Sequence, residues 1–163
     1  MANSKCISEW KQQILSDLQN DSMILKVLDV TEEEIERKGL LYNRLYPMTY
    51  IIDTQDIVKT YICVEISIDK NADSRFRSTA FVRPVITFRI IGHQDDFKVR
   101  SFPTFKTKLD YLSELIDEKY NGKSISGSAE LELVSNVALD ITNTYRERVV
   151  RFRCVELDNS VCK

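Results

Sequence analysis

Two stretches of two-residue alternation, one helical stripe and two more alternating stretches, in that order, constrain this chain more than anything in its composition. In the first stretch Ile62, Val64, Ile66 and Ile68 interleave with Tyr61, Cys63, Glu65 and Ser67. A period of two puts each set on its own face, so the segment reads as a strand with one face buried. The second, over residues 80–91, carries Ile86, Phe88 and Ile90 on one face. Pro84 lies within it and donates no ladder hydrogen bond, which points to an edge strand or a bulge.

The period then changes. Phe105, Leu109, Leu112 and Ile116 recur at three- and four-residue steps, and Leu115 widens the stripe. This predicts a helix over residues 104–120, opened by Pro103 and Thr104, closed by Asn121-Gly122 and covering a sheet. Leu131 with Leu133 or Val134, extended by Leu139 and Ile141, suggests a third strand. Val150, Phe152 and Cys154 alternate with Arg151, Arg153 and Val155 in a last strand that runs to Leu157.

Ahead of the strands, Ile7, Trp10, Ile14 and Leu18 form a helical stripe from near Ser4 to Asn20-Asp21. A second apolar stretch, Met23-Ile24-Leu25 with Val27-Leu28, follows. Thr31 and Glu34 have capping-box spacing and Gly39 is a stop, which predicts a short helix over residues 32–38. There Glu32, Glu33 and Glu34 offset the helix dipole, a simpler reading than an acidic binding patch. Residues 40–56 carry Tyr42, Tyr46 and Tyr50, and Pro47 holds Tyr46 extended. They read as a packed linker with one short strand over residues 50–52.

The expected class is α+β: a helical N-terminal segment, then β-β-α-β-β, with a mainly antiparallel or mixed sheet packed on helices. The 163 residues fit one domain. Its parts are a helical segment (1–40), a packed linker (41–60), a sheet-and-helix core (61–157) and a tail (158–163).

Composition narrows function mainly by exclusion. A net charge of −2 gives no global attraction to nucleic acid or acidic membranes. No apolar run approaches the roughly 18 residues of a membrane span, and the start Met1-Ala2-Asn3-Ser4-Lys5 lacks the apolar core of a secretory signal. Both point to a reducing cytoplasm. Cys6, Cys63, Cys154 and Cys162 show no Cys-x-x-Cys pair and no histidine at ligand spacing. Cys63 and Cys154, inside strands, read as small buried hydrophobes, with disulfides as the alternative.

Reactive motifs are sparse. The one histidine, in Gly92-His93-Gln94-Asp95-Asp96, would use Asp95 and Asp96 as partners in a metal or acid/base site, while the same composition also makes an ordinary polar turn. Ser124-Ile125-Ser126-Gly127-Ser128 resembles a phosphate cradle in composition only. Asp110, Glu114, Asp117 and Glu118 fall on the polar side of the central helix, where solvation accounts for them. No Gly-x-Ser-x-Gly elbow or His-Glu-x-x-His pair occurs. Neither catalytic residues nor a cofactor are expected.

Basic side chains gather in two places: Arg75, Arg77 and Arg83 around the first hairpin, and Arg146, Arg148, Arg151 and Arg153 along the last strand. Alternation puts Arg151 and Arg153 opposite Val150 and Phe152. Such a ridge can meet phosphates or a partner's carboxylates, or simply protect an edge strand from aggregation.

Three phrases carry a family resemblance: Tyr111-Leu112-Ser113-Glu114-Leu115-Ile116-Asp117, then Ala129-Glu130-Leu131-Glu132-Leu133-Val134-Ser135-Asn136, then Tyr145-Arg146-Glu147-Arg148-Val149-Val150-Arg151-Phe152. With the order of elements over residues 61–157, they resemble neck and tail-completion proteins of tailed bacteriophages, the tail terminator above all. That resemblance implies a non-enzymatic homo-oligomer, a ring of six, assembled in the host cytoplasm. It would cap the tail tube at the virion neck and join it to the head-tail connector. Membrane and sequence-specific nucleic acid are not among the partners implied. Contacts would come from the seven arginines and from the loop over residues 69–78. A neighbouring neck adaptor or head-completion protein shares this chemistry, and a small nucleic-acid-associated or metal-dependent enzyme using His93, Asp95 and Asp96 is the competing class.

Overall fold

The computed structural model describes residues 4–51, 57–69, 83–125 and 130–155. Three helices come first: α1 (Ser4–Gln19), α2 (Ser22–Val27) and α3 (Glu32–Lys38). Each break has a local cause. Asp21 caps α2 by accepting hydrogen bonds from the amides of Met23 and Ile24, at 3.0 and 3.2 Å. Thr31 Oγ1 caps α3 by accepting from the Glu34 amide at 3.1 Å. Gly39 ends α3 with φ of +68°, a left-handed conformation that glycine adopts without strain.

The strands are β1 (Leu45–Tyr46), β2 (Thr60–Asp69), β3 (Arg83–His93), β4 (Leu131–Asp140) and β5 (Tyr145–Cys154), with helix α4 (Lys108–Tyr120) between β3 and β4. They form one mixed sheet in the order β1-β2-β3-β5-β4. The short β1 runs parallel to β2, and every other neighbouring pair is antiparallel. Because β3 and β4 both oppose β5, they are parallel to each other. The result is a split β-α-β unit, with α4 as the crossover and β5 filling the gap. The α+β class and the order of elements are as the sequence indicates.

Three details differ from the sequence reading. The short strand lies at Leu45–Tyr46, not at Tyr50-Ile51, and residue 52 of the expected strand lies outside the described residues; the Arg44 carbonyl accepts from the Ile62 amide at 2.8 Å and Pro47 then ends the pairing. Pro84 belongs to a central strand, not an edge. It is tolerated there because pairing with β5 starts only at Val85 opposite Arg153, beyond the proline. Helix α4 starts four residues later than expected, since Thr107 and Asp110 cap reciprocally: Thr107 Oγ1 accepts from the Asp110 amide at 3.1 Å and donates to Asp110 Oδ2 at 2.8 Å. Phe105 therefore leaves the apolar stripe and stands exposed in the preceding loop. The last strand is described to Cys154, so the expected end at Leu157 lies outside the described residues.

The core lies between one face of the sheet and the helices. Ile14 and Leu18 of α1, Ile24 and Val27 of α2, and Leu112 and Ile116 of α4 are fully buried with Ile62, Val64, Phe88, Ile90, Val150 and Phe152. At Gly92 a side chain of α4 packs directly on the sheet backbone. A Cβ there would meet Leu109 Cδ1 at 2.6 Å. The other sheet face carries a smaller cluster, Tyr46, Tyr61, Cys63, Ile91 and Tyr145. Tyr50 stacks on Tyr46 with ring centroids 4.6 Å apart.

Candidate functional site

The predicted arginines do not form one cluster. Arg75 and Arg77, with the loop that holds them, lie outside the described residues, and of Arg83 only its place at the start of β3 is described. The other four divide between the two faces of β5. Arg151 and Arg153 stand opposite Val150 and Phe152, as alternation requires; Arg151 is exposed and Arg153 pairs with Glu132 of β4 at 3.0 Å. Arg146 and Arg148 share the helix side. Arg146 pairs with Asp140 at 2.6 Å. Arg148 pairs with Asp110 of α4 and donates to Asn136 Oδ1 at 3.1 Å.

Asp110 is thus held in an ion pair, not merely solvated. Burial would raise its pKa, but the bonds from Thr107 and Arg148 outweigh that and hold it below the usual carboxylate value. Between these pairs lies a groove of about 180 Å³, floored by Phe97, Leu109, Ala138 and Leu139.

His93 is not in an exposed loop. It ends β3, is 4% exposed, and sets its ring edge-on to Tyr145 at 5.1 Å. Its Nδ1 accepts from the Asp95 amide at 3.2 Å. Asp95 is exposed, with its carboxylate 3.6 Å from His93 Nδ1, while Asp96 turns inward to Lys108 at 2.7 Å and to Thr60 Oγ1 at 2.9 Å. Of the three side chains that a shared ion would need, Asp96 is therefore committed to Lys108 and Thr60 and does not join the other two. Among the described residues no group of three or more His, Cys, Asp or Glu is placed to hold a metal ion.

The sequence reading missed the most buried charge. Lys108 is 1% exposed, and its ammonium lies 2.7 Å from both Asp96 Oδ1 and Asp29 Oδ2. Asp29 Oδ1 is met in turn by Ser101 Oγ at 2.7 Å. Burial would raise the Asp29 pKa, but Lys108 and Ser101 outweigh it and keep the carboxyl low. This group ties the turn after α2 to β2 and to the start of α4. The signal in the sequence was a lysine four residues before Leu112, on the apolar stripe of its helix. Cys63 and Cys154 are buried free thiols whose burial pushes their pKa up to about 11, so they behave as small hydrophobes.

Two exposed apolar surfaces remain, at opposite ends of the strand order. At one end β4 is an edge strand bearing exposed Val134, Val137 and Leu139; residues 121–123 bond its outer backbone as far as Leu133, and among the described residues no strand pairs with it beyond that point. A register shift between Leu133 and Ser135 bulges it at Val134. At the other end, around β1, Leu41, Tyr42, Met48, Tyr50 and Ile51 are exposed.

A protein-family model, YomW, matches residues 21–154, most of the chain. The chain belongs to the YomW family. The family carries the name of a Bacillus phage-region gene, so the expectation of a bacteriophage protein is met at the level of a phage-associated family. The YomW match begins at the cap of α2 and ends with β5. It includes both exposed apolar surfaces and the Lys108 cluster, and it leaves α1 outside. No curated protein matches the chain.

Proposed function

We propose that this YomW-family protein is a structural component of a virion neck, resembling tail terminators. Its subunits form a ring, six in the terminator pattern, that caps the tail tube and joins it to the head-tail connector after assembly in the host cytoplasm. One observation carries the reading: a single sheet displays two unlike apolar surfaces at its opposite edges, around β1 and along β4. When one surface of a subunit meets the other surface of the next, contact is head-to-tail, and such contacts close into rings or run on as filaments. A long exposed edge strand with apolar side chains otherwise invites uncontrolled pairing, which a ring partner would cover.

Light scattering tests this directly. A ring gives about six times the 19.0 kDa of one chain, and images show it at tube ends. Val137→Glu with Leu139→Glu should leave the fold intact and return the protein to single subunits. A wild type that stays monomeric at high concentration and never caps tubes would remove the proposal.

A further inference from the structure

Between β3 and α4 the chain makes a loop, residues 97–107, closed at its base. Lys98 bridges Thr107, and the Lys108 amide donates to the Phe97 carbonyl at 2.7 Å. The loop is braced on both sides. Toward α2, Ser101 Oγ sits 2.5 Å from the Lys26 carbonyl and 2.7 Å from Asp29. Toward α4, Lys106 pairs with Glu114 and lies 5.5 Å over the Tyr111 ring, and Phe102 packs against that same ring.

Within this fixed frame Phe105 is exposed to 110% of its reference area. Beside it opens a hollow of about 670 Å³, walled by Val99, Phe102 and Pro103 and rimmed by Lys98 and Arg100. A braced loop that displays a bare aromatic ring adds nothing to the core. It is instead a pre-organised anchor, the kind of residue that dominates interfaces.

Charge indicates what fits. The acids near the loop are already engaged: Asp29 and Asp96 by Lys108, and Glu114 by Lys106. Among the described residues Lys26 and Lys98 make no ion pair, and Arg100, with its side chain 63% exposed, reaches Asp96 only at 3.6 Å.

We infer that this loop is a docking site for an acidic segment of a different virion protein carrying a large apolar side chain. The hollow and Phe105 take the apolar group, and Lys98, Arg100 and Lys26 take the carboxylates. This site rests on reading the chain as an assembly protein, but it does not need the ring.

The test is selection of 12-residue peptides from a random display library on the full-length protein. The expected consensus sets two or more Asp or Glu beside Leu, Phe or Trp. A consensus peptide should bind Phe105→Ser at least about ten-fold more weakly, and Lys98→Glu about three-fold more weakly with reduced salt dependence. Both side chains are exposed, so both variants should unfold at the wild-type temperature. No enriched peptide, a basic consensus, or binding unchanged in Phe105→Ser would overturn the inference. So would a fall in mass of Phe105→Ser by light scattering, which would make a second copy the occupant. A monomer that still selects acidic peptides would support the docking site and remove the ring.

Discussion

The two faces of the sheet are built on different physics. The helix-facing side is a closed apolar layer in which Phe88 stacks on Tyr120 at 5.1 Å and meets Phe152 edge-on at 5.8 Å. The other side is covered by tyrosines and backbone only at one end. There Tyr61 and Tyr145 donate to the Tyr50 and Ile57 carbonyls at 2.9 and 2.6 Å. Beyond that cover it passes into polar and charged residues such as Glu65, Thr87 and Arg151. One face stores stability in dispersion and area, the other in a few directional bonds. The fold should therefore tolerate change on the second face far better, and that is the side free to vary with partners.

The sharpest test of this contrast is Phe88→Ala, expected to cost about 3–5 kcal/mol in chemical denaturation, because a large cavity opens in a layer that cannot collapse. A second-face substitution costing as much would break the comparison. Next comes Lys108→Ala, at about 3 kcal/mol, since Asp29 and Asp96 would lose their buried cation. Tyr145→Phe removes one hydrogen bond on the second face and should cost about 1 kcal/mol, with faster hydrogen exchange confined to residues 57–59.

The faces should also differ in pH response. On the helix side Asp21, Asp29 and Asp110 have lowered pKa values, so their contribution is present above the ordinary value of 3.8 and is lost as pH falls through the folded values. On the second face burial raises the Glu147 pKa, only partly offset by Arg89, 2.7 Å away. Its contribution is full below 4.5 and is lost as pH rises through the folded value. Glu147→Gln should therefore shift stability at pH 7 by less than about 1 kcal/mol and flatten that decline, leaving acid unfolding near pH 3 unchanged. Smallest of all, Arg151→Glu should change monomer stability by under about 0.5 kcal/mol. A larger loss would show that the ridge supports the fold.

Much of the fold was legible because its signals are periodic. Ile62, Val64, Phe88, Ile90, Val150 and Phe152 reach the core as alternation demands, and Leu109, Leu112 and Ile116 as the helical stripe demands. The failures came where one residue's competing options decide. Phe105 fits the stripe by spacing, but the Thr107–Asp110 cap starts the helix after it. His93 looks like a loop residue in Gly92-His93-Gln94, but the register opposite Tyr145 carries β3 through it. Arg146 and Arg148 sit beside Arg151 and Arg153 in the chain, yet alternation sends the two pairs to opposite faces, so the arginines share no surface.

Sequence alone determined the elements and which face of each is apolar, because burial imposes periods of two and 3.6 residues on any chain that folds this way. Only the tertiary structure decided the strand order. That order inserts β5 between β3 and β4, and so turns β4 into an exposed edge. It likewise brought Asp29, Asp96 and Lys108, distant in the chain, to a single buried point, and left Phe105 outside. Pairing register and charge compensation depend on which segments meet in space, and no local pattern encodes that.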